Sequence, residues 1–262
     1  MDTSLTQLKL AALPMYSELQ RLIWDKMYDM PESLKVIKDN KLSVSRFGDG
    51  ENTLIATPYF NTPFQKNSAN LSKELKDILI NPNHNLIVGQ PSPILNESHI
   101  RLWSNSFIQL KPLLEKNAHS RFVSTHLSRP LFFKKYDRTA VEMYRELWRG
   151  LDITVVTGKG SRFDLIPDMF NTIKSVKYVY TKAVDAYDDI DDLRERLKKD
   201  SSDLIILSLG PTATVLASDL SKMGKWAIDL GHVASAYYNV FEGGKMPEQA
   251  PIIEGSSKTA IY

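Results

Sequence analysis

The sequence predicts an α/β fold, with a Rossmann-like, mostly parallel sheet that has helices on both faces. From residue 42 onward, short apolar segments alternate with longer helical patterns, as right-handed crossovers between parallel strands require. Most of the apolar segments are nearly continuous, which is typical of strands buried on both faces of a sheet. Polar or glycine-rich turns follow several of them, at the edge where open parallel sheets bind ligands.

The predicted elements follow from the spacing of the apolar residues along the chain. The predicted strands cover residues 42–47, 86–89, 121–124, 153–156, 176–180, 203–209 and 226–230. The predicted helices cover residues 5–39, 71–80, 93–116, 138–150, 161–170, 190–199 and 212–223, and a short helix begins at residues 52–56. Pro14 and Pro31 are expected to break the first helical segment.

The predicted domain organisation is a single domain over residues 1–262, because no internal repeat, low-complexity segment or long linker divides the chain. Residues 1–40 are expected to form a helical N-terminal cap. Residues 243–262 contain two glycines and two prolines among polar residues, and are expected to form an irregular C-terminal tail, either a mobile flap or an ordered coil.

The composition is that of a soluble globular protein, with 42% apolar and 24% charged residues. The 33 basic and 31 acidic residues are mixed along the chain, so no nucleic-acid partner is expected. The absence of cysteine excludes disulfides, thiolate metal sites and cysteine nucleophiles. We expect no transmembrane segment and no signal peptide, hence a cytoplasmic protein, while peripheral attachment to a membrane-bound partner stays open.

Four polar turns follow predicted strands and are expected to meet at one edge of the sheet. The first, Gly48 to Glu51, places Asp49 and Glu51 on either side of Gly50, and such paired carboxylates can hold a hard divalent cation together with substrate phosphate oxygens. Arg46 stands close by and suits bidentate phosphate contact. The alternative is that Asp49 caps the following helix and Glu51 is a solvated residue of its first turn.

The second turn runs from Gly158 to Arg162 and predicts a phosphate-binding site at a helix N-terminus. Its glycines free backbone amides, and Lys159 and Arg162 add positive charge. The spacing fits neither a Walker A loop nor a dinucleotide-binding fingerprint. A plain strand-to-helix turn with solvated bases explains the pattern equally well.

The third and fourth turns have more ambiguous patterns. Gly210, Pro211 and Thr212 begin a helix, and helix entry alone explains most of this pattern, although an anion could bind the same amides. Asp229 lies near the end of the last predicted strand, and His232 follows that strand by two residues. His232 is a candidate metal ligand, phosphate donor or general base, and a hydrogen-bonded structural histidine is the alternative.

These four turns together resemble a known family, the bacterial GT-D-type glycosyltransferases, which were long catalogued as a domain of unknown function. The similarity runs from about Leu42 to Phe241, and the four blocks occur in the family's order at residues 43–51, 157–163, 208–217 and 228–232. The resemblance implies a single GT-D-type α/β domain, a nucleotide-diphosphate-sugar donor and a divalent cation, Mn2+ or Mg2+. The family's Asp-x-Glu motif corresponds to Asp49 and Glu51.

The resemblance also implies a substrate class. Relatives extend glycans on bacterial surface adhesins, usually with glucose from a UDP donor, and others occur with polysaccharide genes, so the acceptor stays open. Relatives often carry acidic and aromatic residues soon after the Gly-His pair, whereas this chain has Ala234 to Tyr238 there. If an acidic residue in that region binds the acceptor or acts as the base, Glu242 is the nearest candidate. A homo-oligomer also stays open.

The resulting hypothesis is a metal-dependent hexosyltransferase that uses a UDP-sugar, with UDP-glucose as the expected donor and a glycan or glycoprotein as acceptor. Its catalytic residues would be Asp49, Glu51 and His232, the first two also being the metal ligands. Its substrate-binding residues would be Arg46, Gly48, Gly50, Lys159, Gly160, Ser161, Arg162, Gly210, Pro211, Thr212 and Asp229. The alternatives are a metal-dependent nucleotide-sugar phosphohydrolase and a non-catalytic nucleotide-sugar-binding subunit of a glycan-assembly complex.

Overall fold

The computed structural model of the protein describes residues 3–117 and 120–251. Within them a parallel sheet has seven strands in the order β3-β2-β1-β7-β6-β4-β5. The strands are β1 (Ser43–Arg46), β2 (Leu86–Gln90), β3 (Phe122–Ser124), β4 (Asp152–Gly158), β5 (Ser175–Thr181), β6 (Leu204–Ser208) and β7 (Ala227–Asp229). The α/β prediction with a parallel sheet is therefore confirmed, and every predicted strand is present.

The strand order places the ends of the first and last strands side by side. Val44 in β1 is opposite Ile228 in β7, so the chain that follows β1 lies next to the chain that follows β7. On the other side of β7, Leu207 of β6 is opposite Asp229. Because all neighbouring strands are parallel, the turns after β1, β4, β6 and β7 emerge at the same edge.

Helices cover both faces of the sheet, as the sequence predicts. They are α1 (Thr3–Leu22), α2 (Met30–Asp39), α3 (Asp49–Ala56), α4 (Ala69–Ile80), α5 (Glu97–Ser104), α6 (Phe107–Lys116), α7 (Pro130–Trp148), α8 (Pro167–Phe170), α9 (Ile190–Lys198), α10 (Pro211–Lys222) and α11 (Val233–Phe241). Two apolar cores result, one that includes Trp103 and Leu216 and one that includes Phe132 and Trp148. Among the described helices, none is long and apolar enough to cross a membrane.

The N-terminal helices differ in part from the prediction. Helix α1 continues through Pro14, so the predicted break there is wrong, whereas Pro31 does lie in the first turn of α2. A proline removes one backbone donor, and α1 tolerates this because Leu19 and Leu22 bury its inner side in the core. The Asp29 carboxylate caps α2 by accepting the Glu32 N–H at 2.8 Å.

The segment after β4 shows the largest difference from the predicted elements. The predicted helix over residues 161–170 is wrong, since α8 begins only at Pro167 and residues 159–166 form turns and coil. Phe163 and Ile166 are buried in this coil, so tertiary packing of two apolar side chains holds it without a helix. Helix α11 was not predicted, and α7 begins eight residues earlier than the predicted helix, at Pro130 rather than at residue 138.

Residues 243–251 follow α11 as turns and coil. We name residues 243–251 the C-terminal strap. The remainder of the predicted tail, residues 252–262, lies outside the described residues.

Candidate active site

The turn between β1 and α3 holds two carboxylates in very different surroundings. Gly48 precedes α3, and its N–H donates to the Oε2 of Glu51, the third helical residue, at 2.8 Å, which is the half of a capping box that a glycine allows. Glu51 is only 6% exposed, whereas Asp49 is exposed at the first helical position. The capping role therefore belongs to Glu51 rather than to Asp49, and Glu51 is not the solvated residue that the alternative interpretation assumed.

Burial raises the pKa of two carboxyl groups at this site, those of Glu51 and Asp229. Burial raises the pKa of Glu51 to about 7, against the favourable effect of Arg46 and with a further unfavourable effect of the Asp229 charge. Burial likewise raises the pKa of Asp229 to about 6. Asp229 accepts the Gly231 N–H at 2.9 Å and the Thr214 hydroxyl at 3.3 Å. Two buried carboxyl groups thus share the space between β1 and β7.

Arg46 lies between these carboxylates and the turn after β7. Its Nε is 3.8 Å from the Asp229 Oδ1, and its side chain is 12% exposed. The guanidinium lies against Gly231, where an added Cβ would come within 2.0 Å of Nη2 and where φ is +47°. Glycine is required at this position for both reasons. Arg46 is thus held inside the site, with its Asp229 partner beside it.

The turn after β4 contributes Arg162 to the site. Gly160 has φ of +71°, and the Thr157 and Ser161 hydroxyls lie 2.7 Å apart. Arg162 reaches across to the Nδ1 of His232, at 2.9 Å from its Nη2. Lys159, in contrast, is exposed. Because α8 begins at Pro167, the predicted helix N-terminus at this turn is absent, and the positive charge comes from the Arg162 side chain instead.

The turn before α10 is covered by the loop between α3 and α4. Gly210 has φ of +55°, and a Cβ there would come within 2.6 Å of the Phe64 ring. Pro211 and Thr212 are buried, and the Thr212 hydroxyl donates to the Gln65 Oε1 at 3.2 Å. The side chains of Pro211 and Thr212 are enclosed by protein, which leaves the backbone of this turn for the predicted substrate contact.

The tautomer of His232 follows from its partner. A guanidinium only donates hydrogen bonds, so the His232 Nδ1 must accept from Arg162, and the proton of the neutral ring resides on Nε2. Burial lowers the pKa of His232 well below its ordinary value, and the charges of Arg162, Arg129 and Arg46 lower it further. His232 is therefore a neutral donor through Nε2, which disfavours the predicted role as general base.

Sequence reasoning missed several residues that the fold brings to this edge. Arg129 immediately precedes α7, near the end of β3, and forms an ion pair with Glu248 of the C-terminal strap. The Nε2 atoms of His99 and His126 lie 3.3 Å apart beside it. The position of Arg129 a few residues after a predicted strand was the one available signal for it. Glu248 had none, because it lies in a coil far along the chain.

Two buried amides also lie close to this edge in the fold. Asn52 on α3 and Gln90 at the end of β2 are fully buried, and within the described part of the chain their side-chain polar atoms have no hydrogen-bond partner. Buried amides are normally satisfied, so bound water or a ligand is expected to complete these two. Neither residue was singled out from the sequence, because isolated amides carry no spacing signal.

The described acidic side chains at this edge could supply a divalent cation with at most part of its ligands. Over residues 3–117 and 120–251, no group of three or more histidine or acidic side chains could enclose a metal ion. Mg2+ and similar cations are often held by one or two carboxylates, with water and substrate phosphates completing the shell. Burial raises the pKa of both Glu51 and Asp229, and a bound cation would favour their charged forms. Asp49 is the first residue of α3, two positions before Glu51, and is exposed.

Comparison with known proteins places the chain in one family. The family model described as "Glycosyltransferase GT-D fold" matches residues 44–249. A solved structure described as "The highly conserved domain of unknown function 1792 has a distinct glycosyltransferase fold" is 32% identical, with a TM-score of 0.77 over 90% of this chain and 88% of that one. "A New Glycosyltransferase (DUF1792) from Streptococcus sanguinis" is 28% identical, with a TM-score of 0.71 over 85% of this chain and 87% of that one.

Two curated relatives are longer proteins. Glycosyltransferase GlyD of Streptococcus pneumoniae serotype 4 (strain ATCC BAA-334 / TIGR4) is 27% identical over 252 residues, which cover 88% of this chain and 31% of that protein. The probable glycosyl transferase Gly of Streptococcus gordonii is 29% identical over 218 residues, which cover 79% of this chain and 32% of that protein. The chain thus spans about a third of the length of these relatives. The family match covers all four turns described above, and the chain belongs to the family of glycosyltransferases with the GT-D fold.

Proposed function

We propose that this chain is a metal-dependent glycosyltransferase that moves a hexose, glucose in the first instance, from a UDP-sugar to a glycan acceptor on a bacterial surface protein or polysaccharide. The observation that supports the proposal is that buried carboxyl groups and arginines lie together at one edge of the sheet. The chain that carries them belongs to a family of glycosyltransferases. The sugar, the nucleotide and the acceptor class are those that the family resemblance implies.

The proposed chemistry centres on the leaving nucleotide diphosphate. The acceptor hydroxyl would attack the anomeric carbon of the donor, and the bond from that carbon to the phosphate oxygen would break. A bound Mn2+ or Mg2+ would supply positive charge against the diphosphate that leaves. Asp49 and Glu51 would hold the cation, and Asp229 adds a third carboxyl group nearby. Arg46 and Arg162 lie at the same site and would contact phosphate oxygens, because a guanidinium matches their geometry.

The proton of the acceptor hydroxyl is assigned to a carboxylate rather than to His232. The lone pair of the His232 Nδ1 is used by Arg162, and its pKa lies well below the ordinary value, so its Nε2 donates a hydrogen bond instead. A donor in this position can bind a phosphate or sugar oxygen. Of the roles that the sequence leaves open for His232, the proposal therefore takes that of a hydrogen-bond donor to phosphate and not that of the general base.

A screen of nucleotide sugars tests this function. Thermal unfolding is measured with UDP-, GDP- and CMP-sugars, each with and without MnCl2, and the stabilising donors are then incubated with glycan acceptors and analysed by mass spectrometry. We expect UDP-glucose with Mn2+ to raise the melting temperature most and to give a product heavier by one hexose. Release of free sugar without an acceptor would indicate a phosphohydrolase, and tight binding without turnover would indicate a non-catalytic subunit.

A further inference from the structure

The C-terminal strap is an ordered coil that folds back towards the candidate active site. The Gly244 N–H donates to the Tyr238 carbonyl at 2.9 Å, and the Asn239 side-chain amide donates to the Gly244 carbonyl at 2.8 Å. A turn follows, in which the Gln249 N–H donates to the Met246 carbonyl at 2.8 Å. The strap is therefore shaped locally by backbone hydrogen bonds after α11.

The strap contacts two arginines of the site through negatively polarised oxygens. Arg162 donates to the carbonyl of Ala250 at 2.9 Å and to that of Pro247 at a shorter distance. Arg129 forms an ion pair with the Glu248 carboxylate. Arg162 also contacts the His232 Nδ1 at 2.9 Å, and Arg129 binds Glu248, the residue that follows Pro247 in the strap, so the two guanidiniums lie on the same side of the site.

These contacts resemble in chemistry those that a diphosphate makes with arginine. A guanidinium binds phosphate oxygens through paired donors, and a carboxylate or carbonyl oxygen occupies the same donors when phosphate is absent. The strap contributes one carboxylate and two carbonyl oxygens to the two arginines. A nucleoside diphosphate needs these same donors.

We propose that Arg129 and Arg162 form the diphosphate subsite and that the strap occupies this subsite in the free protein. Glu248 and the two carbonyl oxygens would take the place of phosphate oxygens, and a nucleoside diphosphate would displace them on binding. The inference rests on the proposed function, since it concerns the same donor site. It adds a binding residue, Arg129, and an intramolecular competitor, Glu248.

The strap is suited to displacement because little apolar surface fixes it. Pro247 is buried, but Met246 is 37% exposed and Lys245 is exposed. The Glu248 side chain is 36% exposed and that of Arg129 is 25% exposed, so water reaches their ion pair. Partly exposed ion pairs contribute little to stability, and a ligand with greater charge can replace one partner.

Direct binding measurements test the competition. UDP with MnCl2, and separately inorganic pyrophosphate, are titrated calorimetrically into the wild type, Glu248→Gln and Glu195→Gln. Glu248→Gln removes the competing charge and keeps the size of the side chain, so we expect roughly two- to tenfold tighter binding of both probes. Glu195→Gln, in an exposed position on α9, should bind within twofold of the wild type. Unchanged or weaker binding by Glu248→Gln would overturn the inference.

A second variant separates this inference from the proposed function. Arg129→Gln removes the subsite cation, and we expect at least tenfold weaker binding of UDP and pyrophosphate. If the wild type binds UDP but Arg129→Gln binds it equally well, Arg129 is not part of the subsite, while the proposed donor site stands. If neither the wild type nor Glu248→Gln binds either probe, both the inference and the proposed function fail.

Limited proteolysis follows the strap in the unmodified protein. Trypsin can cut after Lys245, which is exposed at the start of the strap. Displacement by UDP and MnCl2 should speed this cut several-fold, as observed by mass spectrometry of the released C-terminal peptide. A slower cut in the presence of UDP would mean that the strap closes over the ligand, and this would contradict its role as a competitor.

Discussion

At the scale of single residues, the site contains a carboxyl group that is buried away from water and a glycine with a backbone conformation that other residues rarely adopt. Glu51 is a buried carboxyl group that caps its own helix, and burial raises its pKa to about 7. Gly231 has a positive φ and makes room for the Arg46 guanidinium. The sequence predicted Glu51 and Arg46 as site residues. It could not predict that Glu51 is buried, because an Asp-Gly-Glu turn is compatible with either a solvated or a buried third position.

The raised pKa of Glu51 predicts how stability changes with pH. In the folded protein the carboxyl group keeps its proton up to about pH 7, whereas in the unfolded chain it loses the proton near pH 4.5. Folding therefore takes up a proton between these values, and the free energy of unfolding falls as the pH rises through this window. Glu51→Gln keeps the cap but cannot ionise. Without metal, we expect it to be more stable than the wild type by about 1–3 kcal/mol at pH 8.

Urea unfolding at pH 4 and pH 8, in the presence of EDTA, measures this effect. At pH 4 the wild type holds the neutral acid, so the difference between the wild type and Glu51→Gln should vanish. A variant that is less stable than the wild type at pH 8 would show that the Glu51 charge is compensated within the protein itself.

Gly231→Ala tests the packing of Arg46. The new Cβ would meet the guanidinium at 2.0 Å in addition to the positive φ of 47°, whereas at Gly224, with φ of 75°, a Cβ meets nothing within 4 Å. We expect a loss of about 1–2 kcal/mol in the free energy of unfolding for Gly224→Ala, from backbone strain alone. Gly231→Ala should lose about 1–3 kcal/mol more. Equal losses in urea unfolding would mean that Arg46 moves away without cost.

At the scale of elements, buried apolar strands were predictable and coil packing was not. The strand β6 is strongly apolar, and its position was predicted within two residues. The coil before α8 contains Phe163 and Ile166 at spacings that also fit a helix, and only contacts far along the chain decide between the two. The same limit explains Arg129 and Glu248, which are distant in sequence and meet only in the folded chain.

One arginine ties three helices on one face of the sheet. Arg194 on α9 donates to Glu74 on α4 at 3.0 and 3.1 Å and to Asp219 on α10 at 2.8 Å, while Asp191 accepts within α9 at 2.9 Å. Its side chain is 23% exposed. Burial works against the charged form of Arg194, but the hydrogen bonds that it donates to Asp219 and Asp191 outweigh this effect and raise its pKa.

Arg194→Met therefore should leave two partly buried carboxylates without their partner. We expect the free energy of unfolding to fall by about 2 kcal/mol, because removal of one member of a half-buried network exposes the cost of burying the others. Arg196→Met is the control, since Arg196 is an exposed residue whose Asp192 partner is four residues away on the same helix. Its loss should stay below about 0.5 kcal/mol. Unfolding of both variants in guanidinium chloride measures these losses. Equal small losses would show that the Arg194 ion pairs contribute no more to stability than an exposed pair does.

At the scale of the whole molecule, the strand order explains why distant segments form one site. The strands β1 and β7 are neighbours although most of the chain separates them, so the acidic turn at Glu51 meets Asp229 and His232. The turn after β4 joins them through Arg162. Sequence reasoning could place all four turns at one edge, because parallel strands end together. It could not decide which of their residues are enclosed, as Thr212 is, and which face the site.

The most direct test of the account is the transfer rate of variants in the acidic turn. Initial rates with UDP-glucose, MnCl2 and the acceptor that supports turnover are compared for the wild type, Asp49→Asn, Glu51→Gln and the control Glu195→Gln, an exposed position on α9. We expect rates at least about 100-fold lower for Asp49→Asn and Glu51→Gln, because a cation held by them stabilises the leaving diphosphate. Circular dichroism should show both folded, and Glu195→Gln should match the wild type. Full activity in either Asp49→Asn or Glu51→Gln would contradict the proposed metal site.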